Sequence, residues 1–387
     1  MKKILIIILL TNYIFCLKVL QHNCVHNKIK QIYKYEALAP LEPVDVRNLG
    51  NIQPRNMLIS FDMNFFQRLA PSPQTKILIE ACSKAMQLAG KYFYELIKII
   101  PKSEQNMRYR QYNPKCGEYP IPQSDKDKGI NSDLHIYTQF KIEPAETYLA
   151  YASWCQFLDG IGPTHGQVNF NLGILGTKNM QDPVEFEDLM EIVIHEMTHI
   201  LGFSNNDIPR WVDQQGRPYA KPSNTIIARG TPFLVVQTPH VLNYARKYFN
   251  CPNLFGMPLE NNGGQGSAGS HWETTVIQNE YMNAAQSPTQ AYYSPFTTNL
   301  LRDTGFFYEV STSMEEQTFY GLGEGCNHVF GTCDSSRKEY CRPRIDDGQC
   351  DYYHHGSSTC QAGKYMDRGC ILQLLILIQN AGILKVI

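Results

Sequence analysis

Residues 195–202 of this chain read HEMTHILG, and this stretch decides which fold and chemistry the sequence predicts. In a helix, His195 and His199 lie on one face, so both imidazoles point towards a single metal ion. Glu196 then lies beside them, where its carboxylate reaches a metal-bound water without binding the metal itself. Catalytic zinc sites need this division of roles, because they keep one coordination position open for water. The alternative is an amphipathic helix that carries two incidental histidines.

The residues that flank this stretch carry the start and stop signals of a helix. Asp182 is a favourable N-cap, Pro183 suits the first helical position, and Glu185 completes the spacing of a capping box. Gly202 favours the left-handed conformation that often follows the last helical turn. We therefore predict a helix over residues 183–201, and this prediction does not depend on the histidines.

The rest of the central region alternates between strand and helix patterns. Apolar residues three and four positions apart predict a long amphipathic helix over residues 74–99, which Pro101 ends. This order of elements predicts an α+β catalytic domain over residues 51–310. Alternating or continuous apolar runs predict its strands, over residues 57–61, 133–140, 148–155 and 166–170.

The charge balance and the N-terminus limit the partners and the compartment. Lys and Arg number 35 against 36 Asp and Glu, so no basic field is available to hold nucleic acid. Lys2 and Lys3 precede an apolar run over residues 4–10, which predicts a signal peptide over residues 1–17. A buried N-terminal strand is the alternative. We expect a protein that is secreted or held at the cell surface, with a pro-segment over residues 18–50.

The 12 cysteines are typical of a protein from an oxidising compartment. Six of them crowd into the tail and predict a disulfide-rich C-terminal module over residues 311–387. A zinc-knuckle-like site is the less favoured alternative, because these six form no C-x-x-C pair. With Cys16 in the signal peptide and Cys24 in the pro-segment, ten cysteines remain, enough for up to five disulfides. Four lie in the catalytic region and six in the tail: Cys82, Cys116, Cys155 and Cys251, then Cys326, Cys333, Cys341, Cys350, Cys360 and Cys370.

A zinc site of this type needs a third protein ligand, but the position six residues after His199, where compact metzincins have it, holds Asn205. The ligand therefore comes from further along the chain. His271 is the strongest candidate, because it lies in the segment GSAGSHWE and Met282 follows it by 11 residues. A surface loop histidine is the alternative reading of His271. The other candidate ligands are one histidine and two carboxylates: His240, Glu260 and Glu280.

The two motifs together resemble the leishmanolysin family, the major surface protease branch of the metzincin metalloproteases. That family places a long insertion between the HExxHxxG helix and a Gly-Ser-His-Trp segment, and Glu-x-Met follows. Here the insertion runs over residues 203–270, and the matching residues are His195, Glu196, His199, Gly202, His271, Trp272, Glu280 and Met282. The resemblance implies a metzincin-like fold with the active-site helix below a mixed β-sheet.

The resemblance also implies an activity, that of a zinc-dependent endopeptidase with one catalytic Zn²⁺ and protein or peptide substrates. The three histidines would hold the ion, and Glu196 would act as general base on zinc-bound water. Gly202 would end the helix, and Met282 would lie in a turn beneath the metal. The alternative function is a catalytically silent adhesion or matrix-binding protein, which has no chemical use for an intact Glu196.

Three further expectations rest on the resemblance. Substrates would add as an antiparallel strand to a sheet edge, for which residues 166–170 are the candidate, with an ordinary interior strand as the alternative. Cys82 would pair with Cys116. Thr275 replaces an arginine that the family often has, which puts a local salt bridge in doubt.

Cys24 precedes the predicted catalytic domain and lies in the stretch QHNCVHN of residues 21–27. A thiolate there can occupy the open position of zinc and keep the enzyme latent until the segment is cleaved. The flanking histidines resemble the pro-segment pattern of the family. The alternative is a fortuitous cluster of His22, Cys24 and His26 in an unstructured tail.

The C-terminal end of the chain, residues 371–387, is apolar but interrupted by polar residues. Some members of the leishmanolysin family carry a glycolipid-anchor signal there, and this tail is a weak match to one. A final buried strand is an alternative. Association with a membrane surface therefore remains an expectation beside secretion.

Overall fold

The computed structural model of the chain describes residues 22–40, 53–101, 107–287, 289–367 and 369–376. The signal peptide expected over residues 1–17 and the end of the chain after residue 376 lie outside the described residues. Within the described part, the helices are α1 (His26–Ile32), α2 (Pro73–Leu96), α3 (Gln123–Asp127), α4 (Leu172–Leu175), α5 (Pro183–Ile200), α6 (Pro239–Tyr248), α7 (Pro295–Asp303) and α8 (Cys326–Phe330). The strands are β1 (Arg55–Asn56), β2 (Ile59–Asp62), β3 (Ile97–Ile99), β4 (Lys115–Cys116), β5 (Tyr119–Pro120), β6 (Leu134–Lys141), β7 (Ala150–Leu158), β8 (Gly162–Asn171), β9 (Ser223–Ala228), β10 (Thr231–Val236), β11 (Met257–Pro258), β12 (Glu309–Val310), β13 (Ser358–Gln361) and β14 (Leu372–Leu375).

A four-stranded mixed sheet forms the centre of the region predicted as the catalytic domain, with the strand order β2-β6-β8-β7. The first three strands in this order run parallel, while β7 runs antiparallel to β8 and forms one edge. Every residue of β7 and β8 is buried, because both faces of the sheet are covered. Ile136 and Gly166 face α5, and Gln139 on the other face donates to the carbonyl oxygen of Cys116. The α+β prediction is confirmed.

Helix α5 packs closely on this sheet because Gly166 of β8 lies beneath its last turn. A β-carbon at Gly166 would lie 3.1 Å from the Ile200 side chain and 3.2 Å from Ile136, so a larger residue would push the helix away. Helix α2 packs beside α5 through its buried face, which includes Ala85 and Phe93. These contacts fix the position of the HEMTHILG stretch relative to the sheet.

The N-terminal cap of α5 forms where the sequence predicts it. The Asp182 carboxylate accepts hydrogen bonds from the backbone N–H of Val184, at 2.8 Å, and of Glu185, at 3.3 Å. The Glu185 side chain bonds the N–H of Asn179 instead of returning to Asp182, so the box is only half formed. The helix ends at Ile200, and Gly202 has a left-handed φ of 123°.

Helix α2 is shorter at its C-terminal end than the predicted helix over residues 74–99. It ends at Leu96, and residues Ile97–Ile99 continue as strand β3, which pairs with β1 and β12. These partners are distant in sequence, so the local three-four pattern does not reveal them.

The prediction that residues 166–170 form a free edge of the sheet was wrong. Residues 166–170 belong to β8, which lies between β6 and β7 and has no free edge. The reason is that β7 and β8 form an antiparallel pair, and β6 adds in parallel to the other side of β8. The strand at the sheet edge beside α5 is therefore β7, Ala150–Leu158.

The expected pairing of Cys82 with Cys116 was also wrong. Cys116 is bonded to Cys155, with 5.4 Å between their Cα atoms, and Cys82 is a free, fully buried thiol on α2. Cys82 packs in the main hydrophobic core, whereas Cys116 and Cys155 belong to a separate apolar cluster with Tyr109. The two clusters keep Cys82 away from its expected partner.

The C-terminal region is rich in disulfides, as predicted. Cys333 pairs with Cys370 and Cys341 pairs with Cys360, while the exposed Cys350 is a free thiol. Cys326 bonds Cys251 of the insertion, so the tail cysteines do not pair only among themselves. Among the described helices, none is both long and apolar enough to cross a lipid bilayer.

Candidate metal centre

Three histidines meet at one point beside the sheet edge. His195 and His199 come from the last two turns of α5, and His271 comes from the loop that follows the insertion. The Nε2 atom of His199 lies 3.1 Å from Nε2 of His195 and 3.2 Å from Nε2 of His271. All three side chains are buried. The structure therefore brings the three sequence-predicted ligands together.

The backbone fixes the orientation and the tautomer of each imidazole. Each Nδ1 bonds a carbonyl oxygen: Tyr281 for His195 at 2.6 Å, Phe203 for His199 at 2.7 Å, and Ser267 for His271 at 2.8 Å. A carbonyl oxygen only accepts, so Nδ1 carries the hydrogen and Nε2 presents its lone pair. Three lone pairs that face one another repel, and a cation between them removes the repulsion.

The donor set fits zinc. Tetrahedral coordination with Zn–N bonds of about 2.0–2.1 Å separates two ligand nitrogens by about 3.3 Å, close to the observed spacings. Burial is the largest cause that lowers the pKa of His195, His199 and His271, and neighbouring imidazoles lower all three further. Glu196 opposes this by raising the pKa of His195, but burial outweighs it. The imidazoles are thus neutral, which is the form that binds a metal.

Glu196 lies against the same centre outside the set of three histidines, although its carboxylate also forms a second possible set of ligand atoms with His22, Cys24 and His195. Its side chain is fully buried, and Oε2 accepts a hydrogen bond of 2.8 Å from the backbone N–H of Ala152 on β7. Burial raises the pKa of the Glu196 carboxyl to about 7. A carboxylate that changes protonation near neutral pH suits a group that accepts and returns a proton.

Cys24 reaches the histidine cluster from the N-terminal segment. Its Sγ lies 3.4 Å from Nε2 of His199 and 3.6 Å from Oε1 of Glu196. Sγ and the three Nε2-bearing histidines offer four ligand atoms that all lie within 4.8 Å of one another. The segment is held there by the backbone, because Cys24 N–H bonds the carbonyl of Ala284. Cys24 therefore occupies the side on which a fourth ligand would bind.

The two histidines beside Cys24 also touch the site, which the sequence did not assign to them. Nε2 of His22 lies 3.3 Å from Oε1 of Glu196. The His26 ring stacks on His199 with 4.2 Å between centroids, and its Nδ1 lies 2.8 Å from the carbonyl oxygen of Ala152. Their spacing around Cys24 was the available signal, and the contacts argue against a fortuitous cluster in an unstructured tail.

Gly202 shapes the end of the site helix. Its left-handed backbone turns the chain so that the Phe203 carbonyl comes back onto Nδ1 of His199. The Gly202 carbonyl itself accepts a hydrogen bond of 3.1 Å from the Trp211 indole. A side chain at this φ is strained, so glycine suits the position.

Met282 lies fully buried in the segment after His271, and its carbonyl accepts a hydrogen bond of 2.9 Å from the Trp272 N–H. The Glu280 carboxylate holds this turn, because it accepts bonds from the Met282 N–H and, at 2.8 Å, from the Ser294 hydroxyl. Glu280 is thus engaged in positioning the turn and lies outside the groups of ligand atoms that could hold a metal.

The other two alternative ligands are also engaged elsewhere. The Glu260 carboxylate accepts bonds from the Asn262 N–H at 2.8 Å and the Thr274 hydroxyl at 3.1 Å. His240 lies in the first turn of α6, where its backbone N–H donates a hydrogen bond to the Asp303 carboxylate. Neither side chain belongs to the described groups of ligand atoms that could hold a metal.

Thr275 takes part in a local ion-pair network in which the cation comes from the insertion. The Thr275 hydroxyl bonds Glu273 and lies 3.2 Å from the Asp367 carboxylate. Arg229 forms a buried ion pair with Asp367. Arg229, in the turn between β9 and β10, therefore supplies the positive charge that position 275 lacks.

The α+β fold and its three-histidine donor set place the chain in the class of HExxH proteins. Residues 75–367 match the family model for Leishmanolysin (Peptidase_M8), and the chain belongs to this family. It is 30% identical over 222 residues to leishmanolysin of Leishmania major, a match that covers 56% of this chain and 34% of that protein.

Other relatives give the same result. A leishmanolysin homolog of Crithidia fasciculata is 28% identical over 226 residues, which cover 56% of this chain and 31% of the relative. A leishmanolysin-like peptidase of Caenorhabditis elegans is 31% identical over 225 residues, which cover 50% and 33%. The chain thus spans about a third of the length of these relatives.

Proposed function

We propose that this protein is a zinc-dependent endopeptidase that hydrolyses peptide bonds in proteins and is made as a latent zymogen. One observation carries the proposal: three neutral imidazoles present their Nε2 lone pairs to a common point, and the buried Glu196 carboxylate lies beside it. Membership of the leishmanolysin family supports the same activity. The proposed ligands are His195, His199 and His271.

The catalytic roles follow from the positions of the side chains. Zinc held by His195, His199 and His271 would supply Lewis-acid polarisation of the scissile carbonyl and would lower the pKa of a bound water. Glu196 accepts the proton of the attacking water and then delivers it to the leaving amine. The Ala152 N–H holds Oε2 of Glu196, so that the carboxylate is oriented before substrate binds. Gly202 and Met282 support the site from below.

Strand β7 is the proposed binding edge for the substrate backbone. It borders the sheet next to α5, and the carbonyl of Ala152 faces the cleft, where it contacts His26. An extended peptide that adds to this edge gains backbone hydrogen bonds whatever its side chains are. The N-terminal segment uses the same edge, since Leu38 bridges to Leu158 at the end of β7, and the Asn23 N–H bonds the Thr147 carbonyl just before the strand begins.

Latency follows from the position of the N-terminal segment. Cys24 closes the proposed fourth coordination position, and His22 contacts the proposed base. We propose that residues 18–50 are a pro-segment whose removal exposes both groups. Residues 51–310 then form the catalytic domain and residues 311–387 the Cys-rich module.

The compartment proposed is the extracellular space or the cell surface. Four disulfides among the described residues need an oxidising environment to form and persist. An N-terminal signal peptide and association with a membrane surface belong to the same proposal.

The decisive experiment compares the activated wild-type protein with Glu196→Gln and measures bound zinc in both. We expect casein cleavage to fall by about 10³-fold in the variant, because the general base is lost, while one zinc per chain is retained. Glu187→Gln, a change of the same kind on the same helix, is the control and should cleave casein like the wild type. Equal cleavage by Glu196→Gln and wild type would refute the mechanism, and absence of zinc from both would refute the metal assignment.

A further inference from the structure

A cavity of about 390 Å³ lies at the β2 edge of the central sheet, the edge opposite to β7. Ser60 of β2 pairs with His135 of β6, and Asp62 lies two residues further along β2, so these three side chains share one face of the sheet. The next residue of β6, Ile136, points to the other face, against which α5 packs. The cavity is therefore separated from the metal centre by the sheet.

Two aspartates line this cavity, and hydroxyl groups hold both carboxylates in place. The Asp125 carboxylate accepts hydrogen bonds of 2.9 Å from the Tyr137 hydroxyl and of 2.9 Å from the Ser124 hydroxyl. The Asp62 carboxylate accepts a hydrogen bond of 2.7 Å from the Tyr119 hydroxyl. The described partners of both carboxylates are hydroxyl and backbone N–H groups, none of which carries a positive charge. Two fixed carboxylates thus face the cavity without a cation from these partners.

His135 adds a third acceptor to the same cavity. Only 7% of this residue is exposed, and its Nδ1 lies 2.8 Å from the Ser60 hydroxyl. Burial lowers the pKa of His135, although Asp125 and Asp62 raise it, so the imidazole is neutral. Nε2 is buried and has no hydrogen-bond partner among the described residues. A buried polar atom without a partner is costly, and a ligand that donates to Nε2 removes this cost.

The spread of these acceptors indicates the shape of the ligand. Asp62, Asp125 and His135 are not among the described groups whose ligand atoms all lie within 4.8 Å of one another, so they do not converge on a single ion. A primary ammonium carries its three donors on one nitrogen and has the same short reach. A guanidinium spreads five N–H donors over a rigid plane and reaches acceptors that lie further apart.

The size and the walls of the cavity fit the same group. A volume of about 390 Å³ holds a guanidinium together with the first carbons of its stem, and it far exceeds that of a bare ion. Met63 and Ile130 line the cavity beside the aspartates and are apolar, as suits a methylene stem. Asp62 and Met63 are only partly buried, so the cavity reaches the protein surface.

We propose that the cavity lined by Asp62, Asp125 and His135, which we call the guanidinium pocket, binds the guanidinium group of an arginine side chain or of a small guanidino compound. The two carboxylates accept charge-assisted hydrogen bonds from its N–H groups, and the neutral imidazole accepts another at Nε2. The pocket lies at the sheet edge opposite to the proposed substrate strand. The inference is therefore independent of the proposed peptidase function.

The ligand chemistry is tested by isothermal titration calorimetry on the full chain. The probes are N-acetylarginine amide, N-acetylcitrulline amide, in which a neutral urea replaces the guanidinium at nearly the same shape, and N-acetyllysine amide. We expect the arginine compound to bind with a Kd of about 1 mM or below. The citrulline and lysine compounds should each bind at least about 10-fold more weakly, because they lack the charge or the spread of donors.

The location of the site is tested with the arginine compound and two isosteric variants. Asp62→Asn and Asp125→Asn should each weaken binding by about 10-fold, because a charge-assisted contact is lost. Asp127→Asn changes an exposed carboxylate of the same helix α3 and should bind like the wild type. A zinc chelator should leave the affinity of the wild type unchanged, because the pocket is separate from the metal centre.

Equal affinities for arginine and citrulline, or wild-type affinity in Asp62→Asn, would overturn the pocket. Equal affinities for arginine and lysine would overturn the guanidinium assignment. If Asp125→Asn does not fold, the partly buried Asp62 and the comparison of ligands on the wild type still decide the question.

The source of the guanidinium is separated by two further titrations, with the blocked peptide Gly-Gly-Arg-Gly-Gly and with n-propylguanidine. Tighter binding of the peptide assigns the pocket to an arginine of a polypeptide, and tighter binding of n-propylguanidine assigns it to a small compound. Failure of both to bind overturns the proposal.

Discussion

His22 Nε2 lies 3.3 Å from Oε1 of Glu196, so a residue two positions before Cys24 contacts the proposed general base. Burial lowers the pKa of His22 to about 3, and the imidazole is therefore neutral. Its Nδ1 accepts a hydrogen bond of 3.0 Å from the Leu149 N–H, which leaves the hydrogen on Nε2. Neutral His22 therefore contacts Glu196 without forming a hydrogen bond to it, and the N-terminal segment covers the metal side and the base side of the site through different residues.

This arrangement predicts that latency has two parts. Cys24→Ala frees the proposed fourth coordination position, so the intact chain should gain casein-cleaving activity before its pro-segment is removed. The His22 ring still covers Glu196 in that variant, and we expect His22→Ala/Cys24→Ala to be several-fold more active, because the proposed base is then open to water and substrate.

The matched control is Cys82→Ala, which removes the other buried free thiol of the described part of the chain and should stay latent. If the Cys24→Ala chain is as latent as the wild type, the proposal that Cys24 keeps the protein latent is refuted. Equal activity of the single and double variants would show that His22 does not restrain the base.

The third ligand gives a second prediction. His271→Ala should reduce bound zinc from one per chain to below about 0.1, because two imidazoles on one helix bind the ion far more weakly than three. Zinc stoichiometry after dialysis and the Tm with and without a chelator measure this directly. His240→Ala, the alternative histidine, should retain zinc and the chelator-dependent Tm. Retained zinc and activity in His271→Ala would refute the assignment of the third ligand.

The elements that carry the site were predictable because their signals are local. Asp182 and Gly202 mark the two ends of α5 within one stretch of sequence, and each of the two histidine motifs is contiguous. The resemblance to the leishmanolysin family added the long insertion, which no local rule predicts. The sequence therefore predicts both the site helix and the loop that brings His271 to it.

The features that failed depend on contacts between distant residues. Nothing local to residues 166–170 shows that β7 takes the edge and leaves β8 inside the sheet. Cys155 meets Cys116 only after the segment before residue 121 folds over the sheet. In the same way, the sequence shows Lys30 only as one lysine of a polar segment, and its ion pair with Asp207 forms because α1 packs against the rest of the chain.

The disulfide between Cys116 and Cys155 gives a third prediction. Replacing both residues by serine should lower the free energy of unfolding by about 2–4 kcal/mol, because the bond closes a long loop in the unfolded chain. Urea denaturation measures this loss. Cys82→Ala is the control for a buried thiol and should cost less, about 1 kcal/mol. Peptide mapping that found Cys82 bonded to Cys116 would contradict the pairing.

A fourth prediction concerns the dependence of stability on pH. His165 is fully buried on β8, where its Nδ1 contacts Gln156 and Thr164. Burial, followed by the nearby His135, lowers the pKa of His165 to about 3, below its ordinary value of 6.5. Between these two pH values the unfolded chain binds the proton and the folded chain does not. The contribution of His165 is therefore present above pH 6.5 and is lost as the pH falls towards 3.

We expect this group to add about 1.4 kcal/mol per pH unit to the loss of unfolding free energy between pH 6 and pH 4. Urea denaturation at several pH values should show a shallower dependence in His165→Gln, whose amide can keep polar contacts with Gln156 and Thr164. His354→Asn, a change at an exposed histidine, should keep the wild-type slope. The same slope in His165→Gln and wild type would show that His165 is not held neutral by the fold, because a histidine that is neutral in the folded chain and protonated in the unfolded chain must contribute to the slope of the wild type.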